Sequence, residues 1–538
     1  MTAKMLMIQG TASSAGKSLL VAALCRIFKQ DGLRVAPFKA QNMALNSFVT
    51  RDGLEIGRAQ AVQADAAGIP VTVEMNPILL KPEADSLSQV VVLGKPYARL
   101  HSRDYNRDKQ ELWQIVTDAL ARLREQFDLV IVEGAGSPAE PNLKAGDIVN
   151  MRVARHAQSP VLLVGDIDRG GVFASLVGTL ELLDAEERAL VKGILINKFR
   201  GDVALLRPGL DWLESRVGVP TLGVVPFLRD LKIAEEDSVA LDRLNTEHRP
   251  LNTVTDIAVI RLPHISNFDD FDPLALEPGV RVCYVQSLDE LGEPHAIILP
   301  GSKSTIADLQ FLEARGFSAA IRAHAHRGAS VIGICGGYQM LGRVIRDPDR
   351  VESERASVEG LGLLDVETIF LNEKSTHQVR ARVVSSRGFF RELTGQEIGG
   401  YEIHMGKTLG ADAAFQITQR GDHRADDADG VVDATGRVFG TYLHGLFDNA
   451  NFRRAWLETI GTRMNADTDV TLSEAKSRAP FGVSEMLRSA QHDKSALVRA
   501  RPRPIESMQD IREREYNRLA DHVRAHLDLA QIRRIVGV

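Results

Sequence analysis

A loop of small residues near the start of the chain ends in a lysine and a serine that can bind phosphate. The loop, "GTASSAGKS", begins at the last residue of the apolar run 4–10. Its glycines Gly10 and Gly16 precede Lys17 and Ser18. A strand, a glycine loop and a helix in this order point backbone N–H groups and a helix N-terminus at a phosphate. The lysine adds positive charge, and the serine can join a Mg²⁺ shell. Although five residues separate the glycines where the usual pattern has four, the loop predicts a nucleotide site, the alternative being a structural turn.

Acidic side chains follow two later apolar runs, at the points where we expect parallel strands to end. Glu133 ends the run in "VIVEGAG", and Asp166 and Asp168 end the run in "LLVGDIDRGG". Because such strand ends face the phosphate loop, Glu133 and Asp168 are predicted to complete a Mg²⁺ shell with Ser18. Each aspartate can equally cap a turn. Asn197, after "GILI", can hydrogen-bond a base edge or serve a turn.

A cysteine stands in a turn of the kind that exposes nucleophiles. The stretch "VIGICGGYQML" places Cys335 directly after an apolar run, between Gly333 and Gly337, at the head of a predicted helix. This strained turn needs small neighbours, and the helix N-terminus favours a thiolate. The N–H of Gly336 can then face an oxyanion. The pattern predicts nucleophilic catalysis by Cys335, the alternative being a buried structural thiol.

A thiol nucleophile needs a general base, and the sequence offers two histidines downstream. His444 follows a predicted strand in "FGTYLHGLFDN", and His404 lies in "GGYEIHMGKT". We expect His444 to be the base, with His404 as the alternative.

These residues must be positioned by a sheet, and the apolar runs of the first half predict one. Short β-branched runs alternate with helical patterns in "KMLMIQG", "LRVAPFK", "FDLVIVEGAG", "PVLLVGDID", "VKGILINKF" and "TLGVVP". This arrangement is typical of a parallel sheet with helices on both faces, so the predicted fold class is α/β. Apolar runs resume after the polar stretch 228–256, and "HQVRARVV" and "GRVFGTYLHG" predict later strands of a mixed sheet.

Length and composition shifts predict three regions. A chain of 538 residues is too long for one ordinary core. We expect a nucleotide-binding domain over residues 1–248, a second α/β domain over 251–455 and a mainly helical C-terminal region over 456–538. Within the last region, the polar, basic and Pro-rich residues 488–507 predict a surface loop or disordered insertion.

The composition argues against several classes of protein. The chain has no apolar run long enough to span a membrane and no secretory pattern at its start, so we expect a cytoplasmic protein that does not engage a membrane. Only three cysteines occur, which excludes a disulfide framework. A formal net charge of −6 gives no reason to expect nucleic-acid binding. Small-molecule chemistry is the better interpretation.

The phosphate loop and the strand ends of the first half resemble those of the dethiobiotin synthetase branch of P-loop proteins. Proteins of this branch phosphorylate a carboxylate or carbamate to an acyl phosphate. The stretches "GTASSAGKS", "EGAG" and "INKF" carry the resemblance. It implies that Lys17 and Ser18 serve the ATP phosphates and Mg²⁺. It further implies that Glu133 completes the metal shell, Asn197 reads the base and Lys39, in "PFKAQNM", meets the substrate acid. A carboxylate that accepts a phosphoryl group needs a nearby cation on chemical grounds as well.

The cysteine turn and the histidine stretch of the second half resemble those of class I glutamine amidotransferases. In that family a cysteine thiolate attacks the side-chain amide of glutamine and releases ammonia. The turn around Cys335 and the stretch "YLHG" carry the resemblance, which implies that Cys335 is the nucleophile and His444 the base. It also implies that Gly301 and Ser302, in "LPGSKST", help to form the oxyanion and glutamine site. The family usually has H-x-E, but here Leu446 stands at the position of the acid. Either a dyad or another group must therefore serve the histidine.

The order of motifs along the chain resembles the cobyric acid synthase family of cobalamin biosynthesis. The match also includes "GRAQAVQADAAG", "MNPILLKP" and "DIDRGGVFAS", and it covers nearly everything except residues 488–507. The resemblance implies amidation of the b, d, e and g carboxylates of a corrinoid, adenosylcobyrinic acid a,c-diamide, with ATP, Mg²⁺ and glutamine. It places Lys39, Gln41 and Asn42 at the substrate, although turn hydrogen bonding is the alternative for the two amides. Whether the chain forms a homo-oligomer stays open.

Two other functions compete with this interpretation. The sister cobyrinic acid a,c-diamide synthases share both domains but amidate other positions, and "FKAQNM" differs from their "GPDY" pattern. An ATPase switch fused to an inactive amidotransferase module is favoured by the missing H-x-E acid. The intact turn around Cys335 argues against that switch.

Overall fold

The chain divides into two units, each with its own sheet. The computed structural model describes five stretches, residues 2–84, 87–101, 109–234, 255–461 and 506–538. Of these, the first unit contains the residues up to 234, Thr376–Gln378 and Ile511–Val538, and the second unit contains the rest. The predicted boundary at residues 248–251 lies outside the described residues, as does the predicted insertion 488–507 except for its last two residues.

The first unit is built on a parallel sheet. Its strands within the described residues are β1 (Lys4–Gly10), β2 (Val35–Phe38), β3 (Gln41–Met43), β4 (Ser47–Val49), β5 (Glu55–Gly57), β6 (Ile78–Ala84), β7 (Leu87–Val92), β8 (Lys95–His101), β9 (Leu129–Glu133), β10 (Val161–Asp166), β11 (Val191–Phe199) and β12 (Thr221–Pro226). Six of them form the parallel sheet in the order β12-β11-β10-β1-β9-β2. Strands β3, β6, β7 and β8 form a smaller sheet, and β4 pairs with β5.

Helices cover both faces of the parallel sheet, as the sequence predicts. They are α1 (Lys17–Gln30), α2 (Arg58–Ala67), α3 (Lys109–Gln126), α4 (Met151–Ala157), α5 (Val172–Leu182), α6 (Ala185–Leu190) and α7 (Val203–Val217). Side chains alternate along β1, so that Leu6 packs in the core that contains α1, whereas Met7 packs in the opposite core that contains α3, α5 and α7. The predicted α/β class is confirmed.

The carboxyl ends of the central strands meet at one edge of this sheet. Glu133 pairs in register with Ile8, and Asp166 pairs with Asn197. Parallel pairing therefore brings the ends of three separate apolar runs beside the loop that follows β1.

The second unit contains a mixed sheet. Its strands within the described residues are β13 (Thr255–Ile260), β14 (Ile265–Ser266), β15 (Val280–Val285), β16 (Ala296–Leu299), β17 (Gly301–Ser302), β18 (Ser330–Ile334), β19 (Val344–Arg346), β20 (Ser357–Glu359), β21 (Val366–Val383), β22 (Glu397–Gly410), β23 (Ala413–Arg420), β24 (His423–Val432) and β25 (Val438–Thr441). The main sheet runs β15-β13-β16-β18-β25-β24-β23-β21-β19-β20, with β22 on β21, while β14 pairs with β17. The part from β15 to β25 is parallel, and β24 turns antiparallel.

Helices of the second unit flank the parallel part of its sheet. They are α8 (Asp272–Ala275), α9 (Leu288–Leu291), α10 (Thr305–Ala314), α11 (Phe317–His326), α12 (Gly336–Leu341) and α13 (450–461). Strand β18 lies between β16 and β25, and a single residue, Cys335, separates the end of β18 from the start of α12. The turn around Cys335 therefore lies at the carboxyl edge of the sheet.

The end of the chain is helical, as the sequence predicts. Helices α14 (Met508–Arg524) and α15 (Leu529–Val536) contribute Leu519, Val523 and Ile532 to the core that also contains α1. The hydroxyl of Tyr516 donates to the Asp65 carboxylate on α2 at 3.0 Å. These contacts make residues 511–538 part of the first unit, a placement that the sequence did not indicate.

Candidate active sites

The loop between β1 and α1 is held around its own lysine. Lys17 Nζ donates to the carbonyl oxygen of Ala12 at 2.9 Å and to that of Gly136 at 3.1 Å. Lys17 is buried, so its charged end lies over the loop and not in bulk solvent. A cation in this position can hold the outer phosphates of a nucleotide.

A side chain on either of two loop glycines would crowd a neighbouring side chain. Gly16 has φ +91°, and a Cβ there would lie 2.1 Å from Asn197 Nδ2. A Cβ on Gly10 would lie 3.0 Å from Lys17 Nζ. Asn197 also donates from Nδ2 to the carbonyl of Ala15 at 2.9 Å, so the structure brings this predicted base-reading residue to the loop. Its role in reading a base stays a prediction.

One oxygen of the Glu133 carboxylate contacts two of the predicted site residues. Glu133 Oε1 accepts from Ser18 Oγ at 2.9 Å and lies 2.8 Å from Lys39 Nζ. Glu133 is 1% exposed and Lys39 is 6% exposed, so this ion pair is buried. The sequence did not single out Gln63, which donates from Nε2 to Glu133 Oε2 at 2.5 Å. Gln63 lies in "GRAQAVQADAAG", one of the stretches that resemble the cobyric acid synthase family. The helical pattern of that stretch does not indicate which of its two glutamines faces a carboxylate.

The predicted Mg²⁺ ligands Ser18 and Glu133 lie together and fit a hard cation, because both offer oxygen. Among the described residues no cluster of three or more His, Cys, Asp or Glu side chains could hold a metal ion. Magnesium in proteins often takes one or two protein oxygens and completes its shell with substrate phosphates and water. The donors present therefore suit Mg²⁺ that arrives with a nucleotide.

The two aspartates that follow β10 have other partners. Asp166 lies 2.8 Å from Lys198 Nζ and accepts from the backbone N–H of Asp168 at 2.9 Å, which is the turn-capping alternative. Asp168 accepts from Arg200 Nε at 2.8 Å. Within the described contacts, neither aspartate is brought to Ser18 or Glu133. The metal role predicted for Asp168 stays a prediction without a contact to support it.

The three predicted substrate residues follow the end of β2. Lys39 is engaged with Glu133, as described above. Asn42 is buried on β3 and donates from Nδ2 to Gln60 Oε1 at 3.3 Å. Gln41 begins the same strand and is half-buried. Substrate contact by these residues stays a prediction.

Cys335 occupies the strained turn that the sequence predicts. Its φ of 51° and ψ of −109° are unusual for a residue with a side chain. The flanking glycines are required, since a Cβ on Gly337 would lie 2.0 Å from the carbonyl oxygen of Leu299 and one on Gly333 would lie 2.6 Å from Gly337. The Cys335 thiol lies 3.5 Å from the carbonyl oxygen of Ile403.

The other two cysteines have structural surroundings. Cys25 is fully buried in α1, where burial and the nearby charge of Glu133 raise the pKa of the thiol. Cys283 lies on β15 and is partly buried.

His444 is held by an aspartate that the sequence did not single out. Its Nδ1 lies 2.6 Å from Asp270 Oδ2, and Asp270 Oδ1 accepts from the backbone N–H of Gly445 at 2.9 Å. Tyr401 stacks on the imidazole, with ring centroids 5.1 Å apart, and its backbone exchanges two hydrogen bonds with that of His444. These contacts fix both the ring and its tautomer, because the carboxylate accepts from Nδ1.

The charge of His444 is set by competing effects. Burial lowers the pKa of the imidazole, but Asp270 and the Cys335 thiol outweigh burial and raise that pKa to about 10. Nε2 is buried and has no hydrogen-bond partner among the described residues. A protonated His444 can stabilise negative charge on sulfur and later deliver its proton.

Asp270 supplies the carboxylate that the absent H-x-E pattern left unassigned. It lies in the turn Phe268–Phe271, after β14, in the acidic stretch "SNFDDFDP". Three acids in that stretch were a visible signal, but the sequence could not indicate which of them meets His444. Asp270 contacts His444 directly, and the Cys335 thiol raises the pKa of the same imidazole, so the three residues suit a Cys–His–Asp arrangement in place of a dyad.

His404, the alternative base, packs against an aromatic ring and contacts a backbone carbonyl, whereas His444 contacts a carboxylate. Its Nδ1 lies 2.7 Å from the carbonyl oxygen of Gly406, and its ring stacks on Tyr442 with centroids 3.8 Å apart. Burial lowers the pKa of His404 to about 4. A neutral, stacked ring with one nitrogen engaged in this way is a poorer general base than His444.

The predicted oxyanion residues lie around the same turn. A Cβ on Gly336 would lie 2.9 Å from the backbone nitrogen of Ser302, and one on Gly301 would lie 3.2 Å from Cε1 of His444. Ser302 Oγ donates to Asp308 at 2.6 Å, which anchors this residue. Ser302 and Gly336 are thus close neighbours, and binding of an oxyanion by their backbone N–H groups stays a prediction.

Comparison with known proteins assigns both units to families. Residues 6–240 match the CobQ/CobB/MinD/ParA nucleotide binding domain, and residues 256–452 match the CobB/CobQ-like glutamine amidotransferase domain. A cobyric acid synthase of Dehalococcoides mccartyi (strain ATCC BAA-2266 / KCTC 15142 / 195) is 51% identical over 98% of this chain and 97% of that protein. The chain belongs to the cobyric acid synthase family.

Other members of the cobyric acid synthase family match equally well. That of Sorangium cellulosum is 52% identical over 100% of this chain and 99% of its own length. That of Moorella thermoacetica is 50% identical over 100% of this chain and 98% of its own length. The resemblance drawn from the motif order is confirmed, and so is the order of a nucleotide-binding part before an amidotransferase part. None of the described helices has the length and apolar character that crossing a bilayer needs.

Proposed function

We propose that this chain uses ATP and glutamine to amidate the b, d, e and g carboxylates of adenosylcobyrinic acid a,c-diamide, which gives adenosylcobyric acid. The observation that carries the proposal is the identity of 50–52% with curated cobyric acid synthases over nearly the whole chain. The two residue clusters support it, because one suits phosphoryl transfer to a carboxylate and the other suits release of ammonia from glutamine.

In the first cluster, Lys17 and the backbone of its loop bind the phosphates of ATP. Ser18 and Glu133 would hold Mg²⁺, which would offset the negative charge of the phosphates. Lys39 orients the substrate carboxylate and balances its charge while a carboxylate oxygen attacks the γ-phosphorus and ADP leaves. The product of this half-reaction is an acyl phosphate.

In the second cluster, the Cys335 thiolate attacks the side-chain amide carbon of glutamine. Backbone N–H groups of Ser302 and Gly336 stabilise the oxyanion, and His444 protonates the departing ammonia. His444, held by Asp270, then takes a proton from the water that hydrolyses the thioester, so that glutamate leaves and the thiol is restored.

The two half-reactions combine at the carbonyl carbon of the acyl phosphate. Ammonia attacks that carbon and inorganic phosphate leaves, so each cycle replaces one hydroxyl group of the substrate by an amino group. One ATP and one glutamine are consumed for each amide formed.

An oxygen-transfer experiment tests the acyl phosphate directly. The substrate is prepared with ¹⁸O in its free carboxylates and incubated with the enzyme, Mg²⁺, ATP and glutamine. We expect ¹⁸O in inorganic phosphate in proportion to the amide formed, because carboxylate oxygen leaves with the phosphoryl group. Amide formation with unlabelled phosphate would rule out activation through an acyl phosphate.

A further inference from the structure

The side chain of Gln63 contacts both residues that we assign to Mg²⁺. From α2, Nε2 donates to Glu133 Oε2 at 2.5 Å and lies 3.4 Å from the backbone carbonyl oxygen of Ser18. Gln63 is 1% exposed, so its amide competes with little solvent for these acceptors. One buried group thus links the end of β9 to the first turn of α1.

The orientation of this amide is dictated by charge. The opposite orientation would point the carbonyl Oε1 of Gln63 at the Glu133 carboxylate, and two acceptors would then face each other. In the observed orientation Oε1 is buried without a hydrogen-bond partner among the described residues. Because an unpaired buried carbonyl is unfavourable, the contact of Nε2 with Glu133 must outweigh that loss.

The two oxygens of Glu133 are therefore used differently. Gln63 holds Oε2, whereas Ser18 and Lys39 both meet Oε1. A carboxylate that is hydrogen-bonded at one oxygen loses rotational freedom, which restrains the position of its other oxygen relative to the Ser18 hydroxyl. Groups that orient metal ligands in this way commonly determine metal affinity without touching the metal.

We propose that Gln63 is a positioning residue that fixes Glu133 and Ser18 for Mg²⁺. This inference rests on the proposed function, because it takes these two residues as the metal ligands of the ATP site. Gln63 acts through Glu133, and its contribution is measured by how much Mg²⁺ strengthens nucleotide binding.

Calorimetry of the full-length protein with the ATP analogue AMPPNP tests the proposal without turnover. The dissociation constant is measured with Mg²⁺ and with EDTA, and the ratio of the two values gives the enhancement by Mg²⁺. For Gln63→Leu we expect this enhancement to fall about 10- to 100-fold while affinity in EDTA is unchanged. An unchanged enhancement would overturn the proposal.

A matched variant separates positioning from helix packing. Gln60 lies one turn earlier on α2 and is fully buried, but its amide oxygen accepts from Asn42, and no described hydrogen bond joins Gln60 to Glu133. We expect Gln60→Leu to keep the wild-type enhancement. An equal loss in both variants would show that disturbance of the helix is responsible and would overturn the specific role of Gln63.

Failure of the proposed function gives a different result. If wild-type protein does not bind AMPPNP at all, the assignment of the nucleotide site is wrong and the role of Gln63 falls with it. If wild type shows the enhancement and Gln63→Leu retains it, only the role of Gln63 is wrong.

Discussion

Oδ2 of Asp270 lies 2.6 Å from Nδ1 of His444, although the two residues are 174 positions apart in the chain. The turn Phe268–Phe271 thus provides the carboxylate that an H-x-E pattern would provide two residues after the histidine. The roles of nucleophile, base and orienting acid are defined by geometry and not by chain order. The absence of the usual acid after His444 therefore does not indicate an inactive module.

Removal of this carboxylate tests its role. In Asp270→Asn we expect glutamine hydrolysis to slow by about 10²- to 10⁴-fold, because the imidazole loses both its fixed tautomer and its counter-charge. Synthesis with ammonium chloride in place of glutamine should persist in the same variant, which serves as the control. Steady-state assays of glutamate and corrinoid product measure both rates, and full glutaminase activity in Asp270→Asn would contradict the assignment.

The titration of His444 provides a second test. The pKa of His444 in the fold, about 10, lies above its ordinary value of 6.5, so the protonated ring stabilises the fold. This contribution is complete below about pH 6.5 and is lost as the pH rises through about 10. The substitution His444→Gln should lower the free energy of unfolding, and we expect this loss to become smaller as the pH rises over that range. Denaturant titrations at several pH values measure it, and a pH-independent difference between the two proteins is incompatible with a charged His444.

The nucleophile can be removed without touching the ATP cluster. We expect Cys335→Ala to lose glutamine-dependent synthesis while ammonia-dependent synthesis continues, since the thiol acts only in releasing ammonia. Product formation with each nitrogen source is the measurement. Loss of both activities in a folded variant would argue against two separate chemical sites.

The reciprocal change removes the phosphate-binding cation. We expect Lys17→Ala to lose product with either nitrogen source, because no acyl phosphate forms, while glutaminase chemistry keeps its own residues. The same two assays apply. Retained ammonia-dependent synthesis would move the ATP site to another part of the chain.

The geometry of the phosphate loop can be tested with a matched pair of glycines. Gly16 and Gly32 have nearly the same φ, +91° and +92°, but a Cβ on Gly16 meets Asn197 at 2.1 Å whereas one on Gly32 meets nothing within 4 Å. We expect Gly16→Ala to weaken AMPPNP binding, because Asn197 must move, and Gly32→Ala to retain it, with a similar backbone cost in both variants. Equal binding by the two variants would show that the contact with Asn197 does not matter.

Local patterns predicted most of the fold. The run "KMLMIQG" corresponds to β1, and the runs that contain Glu133 and Asn197 correspond to β9 and β11, because β-branched apolar runs and their spacing are local properties. The packing of α14 and α15 against the core of α1 was not predicted. That packing depends on contacts between residues nearly five hundred positions apart, such as Arg26 with Glu513, and no local pattern encodes them.

In the candidate sites, too, local patterns identify some residues, whereas others are identified only by tertiary contacts. Lys17, Ser18 and Cys335 could be identified because a loop or turn requires fixed neighbours at short spacing. Asp270 and Gln63 could not, since each acts on a residue from a distant element and lies in a stretch where several similar side chains compete. Tertiary contacts alone select one acid or amide from such a stretch.

Mass spectrometry of the corrinoid tests the central claim most directly. Adenosylcobyrinic acid a,c-diamide is incubated with the protein, Mg²⁺, ATP and glutamine, and each replacement of a hydroxyl by an amino group is followed over time. We expect four successive replacements, ending at the mass of adenosylcobyric acid. An unchanged corrinoid mass, in a sample that still hydrolyses glutamine, would contradict the assigned substrate.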